Sequence, residues 1–500
     1  MLLFRHRGTF IVDFDFTSLY PNLVLTYNIG VNTFVMKFKD TENGYFFVYN
    51  KDKLPEKVSI IVDPLFKAQE VEVTKEQLIR KVEESKLVYT VSGCFFKPHN
   101  QEISFYGEII DFLLSTRKDF KDLMFKAKES GQDKEKEMYN IRQLVMKVLA
   151  NAMYGVLGNS AYRFFARDCA RSITLSGQEA IKTVILAGDN YIESLKSNSS
   201  YVEPKKLTIQ EMYGDRIPAT KYIITGDTDS LFATFRDFGL DMNKERNELI
   251  LEIMERCDKI QKFLNGEVVT KLVSLHNVPL ERNKLNLKNE LVISRGLFLA
   301  KKCYAINVIS QEGRSTDEII SMGIETKRSD FPNYTKECLN ELLNLVLKSE
   351  TISLSRIFQF VKNKEKEITK LVSEGDKAVA RPVSFTKKVK DYKKVPQGVV
   401  SMLNWNELEY VAFQPGGRGY LFKIQGVDLE KAPKEVVQKY DEKFLKKGKK
   451  LEVVCVPTEE SKLPNYYIPD VKSMVKFAWD DRVLRLLEPL TSVKEKILTF

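Results

Sequence analysis

Gly226-Asp227-Thr228-Asp229-Ser230 lies between two short apolar runs, Tyr222-Ile223-Ile224 and Leu231-Phe232-Ala233. Apolar strands broken by a Gly-Asp pair predict a β-hairpin, with Asp227 and Asp229 at or beside its tight turn. Two carboxylates crowded at one tip repel each other. A hard divalent cation, Mg²⁺ or Mn²⁺, is the partner that makes such an arrangement favourable. An Asp-Thr-Asp stretch by itself also fits an acidic surface turn, so the reading depends on finding a second acidic strand.

That strand lies near the start of the chain. Gly8-Thr9-Phe10-Ile11-Val12 is strand-like and runs into Asp13-Phe14-Asp15-Phe16. Asp13 and Asp15 alternate, so both point to one face if the strand stays extended. Ser18-Leu19-Tyr20-Pro21 then breaks the strand, and its backbone amides can hold phosphate oxygens as a helix N-terminus does. An edge strand closed by a proline turn is the alternative these residues leave open.

The totals narrow the field. With 500 residues, 43% hydrophobic and 29% charged, the chain can build two or three subdomains and is too charged to live in a membrane. No apolar run reaches spanning length, and Met1-Leu2-Leu3-Phe4-Arg5-His6-Arg7 lacks the apolar stretch of a signal peptide. Six cysteines without a CxxC and only three histidines speak against zinc and for reduced thiols. A formal charge of +10 is compatible with a polyanionic partner, and lysines cluster late, at 387–394 and 443–450.

Asp15-x-x-Ser18-Leu19-Tyr20-Pro21 followed by Gly226-Asp227-Thr228-Asp229-Ser230 resembles the first and third motifs of the family B (α-like) DNA polymerases. Lys147-Val148-Leu149-Ala150-Asn151-Ala152-Met153-Tyr154-Gly155 resembles the second motif and falls between them, in the family's order. The resemblance covers residues 8–330 well. It implies an α+β right-hand fold with an antiparallel-sheet palm, two-helix fingers and a mostly helical thumb. The implied division is palm 1–36, an insertion of unknown role 37–99, fingers 100–160, palm 161–330 and thumb 331–500.

The fingers are expected as an antiparallel helix pair, one helix through Ile109–Lys121 and one from about Lys134 to Met153, broken at Gly131-Gln132-Asp133. Lys147, Asn151, Tyr154 and Gly155 share one helical face, and Arg117 and Lys121 share another. Three cations facing one groove call for an anion, which a triphosphate supplies through bidentate Arg and point-charge Lys contacts. Salt-bridge partners on a solvated face are the alternative for Arg117 and Lys121. Further on, 197–218 reads as a polar loop and second insertion, 243–273 as helix and 291–308 as strands. Lys302 and Tyr304 match the family's Lys-x-Tyr element, whose residues contact the primer terminus and template side. Arg328 lies in the link from palm to thumb, and Glu290 falls where the family often keeps an auxiliary carboxylate. Residues 331–500 read as amphipathic helices and lysine runs, with a glycine turn at 416–419 and a terminal helical stretch from Lys472.

The chemistry the resemblance implies is templated attack of a primer 3′-hydroxyl on the α-phosphate of a dNTP. Two divalent cations about 3.5–4 Å apart, Mg²⁺ or Mn²⁺, would serve it. Asp15 and Asp229 would bridge both ions, the Phe16 carbonyl would add a ligand and Asp227 would play a lesser part. Ser18, Leu19 and Tyr20 would line the nucleotide site, the Tyr20 ring excluding a 2′-hydroxyl. The expected partners are primer-template DNA, dNTPs and a sliding clamp, with a cytoplasmic or nucleoid-associated location. Thr225 stands where the family usually has Tyr, and Ala152 where it has Ser. The chain starts roughly a dozen residues before the first motif, so a truncated or naturally split polymerase is expected, without its own 3′–5′ exonuclease and, if split, with a companion chain carrying the N-terminal and exonuclease domains. A catalytically silent, DNA-binding subunit and a protein-primed polymerase are the competing readings.

Overall fold

A computed structural model describes residues 2–3, 10–214, 219–235, 238, 240, 244–349, 353–409 and 412–488. It is an α+β protein with antiparallel sheets and two compact units. One comprises residues 8–293 and 309–316, and the other residues 1–7, 294–308 and 317–500.

The first unit is built on strand β1 (Ile11–Phe16), whose Val12, Phe14 and Phe16 enter the core on one face while Asp13 and Asp15 occupy the other. Helix α1 (Leu19–Tyr27) follows at once, with Ser18 at its N-cap at φ 48°. Pro21 falls in the first turn, where its missing N–H leaves no helical bond unmade. The fingers segment forms two long helices, α2 (Phe105–Glu129) and α3 (Asp133–Gly158), both longer than their periodicity indicated. Ser104 caps α2 by accepting the Gly107 N–H at 3.2 Å, and Gly131 takes φ +69° in the turn between the helices.

Helix α4 (Arg167–Ser197) buries Ile173, Ala180, Ile181, Val184, Ile185 and Ile192 at helical spacing against the core. Strands β2 (Ile223–Asp227) and β3 (Ser230–Thr234) make the expected hairpin. Helix α5 (Arg246–Phe263) continues through a π-helical turn, Leu264–Val269, to Leu275, and position 243, where the helix was expected to begin, lies outside the described residues. Strand β4 (Leu287–Ala300) pairs antiparallel with β1 from Leu287↔Phe16 to Ile293↔Ile11, and β3 pairs with β1 on its other side. With a ladder on each side, β1 is an interior strand, and the edge-strand alternative falls.

The stretch read as an insertion is a five-stranded antiparallel sheet, Gln69–Thr74, Lys57–Val62, Phe34–Phe38, Cys94–Phe96 and Val88–Tyr89 in spatial order. Helices Glu42–Tyr49 and Lys75–Glu84 close its own small core of Met36, Phe38, Phe47, Val58, Ile60, Leu78, Val82 and Phe95. Residues 197–218 are not all loop. Thr208 and Glu211 form a capping box that starts the short helix Ile209–Tyr213, and 215–218 lie outside the described residues.

The second unit holds helices Asn333–Leu347, Leu354–Ser373 and Gln397–Leu408, as the amphipathic pattern indicated. It also holds a sheet that the pattern did not reveal, formed by Arg381–Ser384, Arg418–Val427, Val453–Pro457 and Tyr467–Pro469. Val453-Val454-Cys455-Val456 is a short apolar run two residues after the lysines of 446–450, and its burial comes from packing with Phe422 and Trp405. Gly416 turns the chain at φ +100°, and the terminal helical stretch begins at Val471 and is described to Glu488. Among the described residues no helix is long and apolar enough to cross a membrane.

Candidate active site

The hairpin turn is Thr228-Asp229, one pair later than the Gly-Asp break suggested, and Gly226 and Asp227 belong to β2. Thr228 sits at φ 60°, a conformation a β-branched residue rarely adopts, and its hydroxyl donates to Asp227 Oδ1 at 3.2 Å. The Asp229 N–H donates to the Asp227 carbonyl at 2.7 Å, and Phe16 N–H donates to the Asp229 carbonyl at 2.8 Å. The hairpin tip is thereby tied to the end of β1. Across the ladders Asp15 lies opposite Ser230, and Ser230 opposite Asp227. Directly opposed residues of antiparallel strands share a face, so Asp15 and Asp227 are on one side of the sheet.

On that side negative charge accumulates. Burial, Asp229 and Glu290 push the Asp15 carboxyl up to about 8, with Lys147 pulling the other way. Asp13, buried and with Oδ1 lacking a hydrogen-bond partner, is held well above the carboxylate range by burial first and then by Asp15, Glu290 and Asp229. Glu290 is raised by burial and by Glu312, against Lys147 and Lys121. It is the extra residue where the β4 register shifts between Asn289 and Leu291, and its carbonyl accepts the Glu312 N–H at 2.8 Å. A bulge of this kind re-aims a side chain out of strand alternation.

Clustered carboxylates that disfavour each other's ionisation, with a buried oxygen left unpartnered, fit hard divalent cations bound through oxygen. Among the described residues no three acidic, Cys or His side chains already converge on one point. The residues present fit the ions chemically without being gathered around them.

Tyr20, in the first turn of α1, packs its ring 5.0 Å from that of Tyr154 on α3. Its hydroxyl is raised by burial, then by Tyr154 and Asp229. On α3 Lys147, Asn151 and Gly155 are exposed and Tyr154 half-buried, and a Cβ built on Gly155 would meet nothing within 4 Å. No packing requires glycine there. On α2 Arg117 donates from Nε to Gln143 Oε1 at 3.4 Å, and its guanidinium, lowered by burial, feels Glu290 and Glu312. The structure thus brings Asp15, Asp229, Tyr20, Tyr154, Lys147, Lys121 and Arg117 into one electrostatically coupled region. Asp13, read from the sequence as the strand partner of Asp15, joins that region, and so do Gln143 and Glu312, which the sequence did not single out. Gln143 and Glu312 belong to no motif and are delivered by the helix pairing and by a distant hairpin tip.

Lys302, Tyr304 and Arg328 lie in the other unit. Lys302 sits at φ 58° in the turn that ends β4, with its carbonyl in the space a Cβ on Gly323 would take. Gly323 is therefore required at this close approach. Tyr304 packs near Phe298 at 5.7 Å. Arg328 is engaged by Asp330 through two 2.9 Å hydrogen bonds and lies over the Phe331 ring.

The sheet carries carboxylates on one side, and Lys147 of the exposed α3 face acts on the same carboxyl as Asp229, a donor set whose chemistry suits divalent cations and a polyphosphate. The profile of DNA polymerase family B matches residues 7–410. The chain belongs to that family. It is similar to the DNA-directed DNA polymerase of Enterobacteria phage T4, 24% identical over 397 residues that cover 72% of this chain and 41% of that protein. It is also similar to the DNA polymerase of Pyrococcus glycovorans, 24% identical over 385 residues covering 77% of this chain and 36% of that one. A third relative is the DNA polymerase of Desulfurococcus sp. (strain Tok), 28% identical over 244 residues, 49% of this chain and 24% of that one. The chain spans well under half the length of these curated relatives.

Proposed function

We propose that this chain carries the polymerase region of a family B DNA polymerase and adds dNTPs to a primer 3′-hydroxyl under template direction. The observation that carries the reading is the register that sets Asp15 of β1 and Asp227 of β2 on one side of the sheet, with the Phe16 N–H bonded to the Asp229 carbonyl at the hairpin tip. In this reading residues 1–36 and 161–330 are palm, 100–160 fingers and 331–500 thumb.

Asp15, Asp229 and the Phe16 carbonyl would hold the cations, with Asp227 in a lesser part. When bound, the cations lower the pKa of the attacking hydroxyl and neutralise charge on the leaving group. Arg117, Lys121 and Lys147 grip the triphosphate oxygens, and the first-turn amides of α1 at Leu19 and Tyr20, beside Ser18, add donors that a helix start leaves without helical partners. Tyr20, braced by Tyr154, occupies the space a 2′-hydroxyl would need. Asn151 and Gly155 present a low surface to the incoming nucleotide. The primer oxygen forms a bond to the α-phosphorus, the bond from that phosphorus to the bridging oxygen breaks, pyrophosphate leaves and the hydroxyl proton passes to solvent. Lys302, Tyr304 and Arg328 contact the primer-template, Arg328 exchanging its bond to Asp330 for phosphate.

The test is extension of a labelled primer on a defined template by the purified chain, with and without Mg²⁺. Metal-dependent addition that follows the template sequence is expected. Tight primer-template binding with no addition in Mg²⁺ or Mn²⁺ would replace this reading with that of a silent DNA-binding subunit.

A further inference from the structure

The strand that delivers Asp227 and Asp229 carries an irregularity with a geometric consequence. Ile223 pairs with Ala233, but Thr225 pairs with Phe232, so Ile224 is an extra residue on β2. Ile223 is buried in the core with Leu231 and Ala233. Asp227, four residues on, would fall on that same apolar face in an unbroken strand, because side chains alternate with period two. The extra residue reverses the phase and places Asp227 opposite Ser230, on the side of Asp15. A hairpin with an apolar start and an acidic tip needs this reversal held in place.

Helix α4 supplies a clamp just upstream of the bulge. The Asp189 carboxylate accepts three successive backbone N–H groups. Oδ1 lies 2.6 Å from Tyr222 N and 3.0 Å from Ile223 N, and both oxygens lie 3.0 Å from Lys221 N. One helical turn on, Glu193 accepts the Lys221 ammonium at 2.7 Å and the Tyr222 hydroxyl at 2.5 Å. The Tyr222 carbonyl then accepts the Thr234 N–H at 2.9 Å, closing the ladder to β3. Residues 221–223 are therefore fixed to a rigid helix before the strand changes phase.

We propose that Asp189 is a positioning residue for the metal-binding hairpin: by pinning residues 221–223 it holds the Ile224 bulge, and the bulge aims the Asp227-Asp229 tip at Asp15. The inference rests on the metal-site reading proposed above and touches neither substrate nor metal itself. No motif contains Asp189. Its role arises from three amides arriving together at one carboxylate, a charge-assisted arrangement about twice as strong per bond as a neutral one. Substituting alanine leaves those amides without their acceptor and lets the strand slip toward regular pairing, which removes Asp227 from the acidic face.

The test compares wild type, Asp189→Ala, Asp189→Asn and Asp229→Asn by Mn²⁺ binding, read as free Mn²⁺ in electron paramagnetic resonance well below each variant's melting point. Loss of a partner that orients a ligand from outside the metal's own shell costs about 10–100-fold in metal affinity. Asp189→Ala is expected to lose that much, Asp189→Asn less because Oδ1 still accepts, while the dNTP KM stays near wild type and kcat falls. Should the alanine variant fail to fold, the asparagine variant decides, with severalfold weaker Mn²⁺ binding expected. Wild-type Mn²⁺ affinity in a folded Asp189 variant would overturn the proposal and reduce Asp189 to a stabilising contact. Asp229→Asn separates the two readings: if it binds Mn²⁺ like wild type, the metal-site reading has failed, whereas a loss there alone leaves that reading standing and sinks the clamp.

Discussion

In the metal-free protein, Asp15→Asn is expected to raise stability, and to do so more as pH rises. Burial, Asp229 and Glu290 oppose the ionisation of Asp15 and raise its carboxyl from 3.8 in an unfolded chain to about 8 in the folded one, with Lys147 pulling the other way. Between these values the folded state holds a proton that the unfolded state has released, so stability falls as pH climbs from about 4 and the loss is complete above about 8. At about 1.4 kcal/mol per pH unit the span of roughly four units sets a ceiling of about 6 kcal/mol. Water reaches part of the carboxyl, and screening leaves about 1–2 kcal/mol of that. Asparagine has no proton to lose, so the variant lacks this slope. Urea unfolding in EDTA at about pH 5 and pH 8 should show the two proteins diverging with pH, the variant the more stable at pH 8. Mg²⁺ should restore the wild type at pH 8, since binding to the folded state alone stabilises it, and should do little for the variant. Parallel stability curves, or equal Mg²⁺ stabilisation of both, would refute the reasoning.

Tyr20→Ala should admit ribonucleotides, because the ring's bulk is the discriminator, and an unchanged ratio of kcat/KM for dNTP over rNTP would remove Tyr20 from that role. Gly177→Ala should reach the same site indirectly. Its Cβ would stand 3.1 Å from Tyr20 Cε1, 3.4 Å from Leu23 Cδ1 and 3.5 Å from Leu19 Cδ2. The ring must give way, and about 1–3 kcal/mol of stability together with a raised dNTP KM is the expected cost; thermal melts and steady-state kinetics check both. Lys147→Ala should raise the dNTP KM about tenfold or more, the worth of a hydrogen bond to a charged group. Because Lys147 also lowers the Asp15 carboxyl, its loss should move the acidic limb of the rate–pH profile upward; a limb that stays put would argue against their coupling.

The motifs were legible because their chemistry is local. Asp13 and Asp15 alternate on a strand, Asp227 and Asp229 lie at or beside a tight turn, and Lys147, Asn151, Tyr154 and Gly155 recur at helical spacing. The features that sequence hid are those in which one residue breaks the periodicity or arrives from elsewhere. Ile224 inserts a bulge without any glycine or proline to mark it, and the turn settled on Thr228-Asp229 against the usual preference for glycine at φ > 0. Glu312 reaches Glu290 from a hairpin tip, and Asp189 reaches the hairpin from helix α4. Val453–Val456 was masked by the lysines before it. The five-stranded sheet of 34–96 owes its pairing order to contacts of long sequence separation, which no local spacing reveals.

The most direct test of the central claim is single-turnover nucleotide addition by the wild type, Asp15→Asn and Asp229→Asn on one primed template in Mg²⁺, with primer-template binding measured in parallel. The account predicts addition by the wild type, none detectable by either variant, and binding by all three that is nearly equal and weakens steeply with salt because phosphate contacts supply the affinity. Near-wild-type addition by either variant would contradict it.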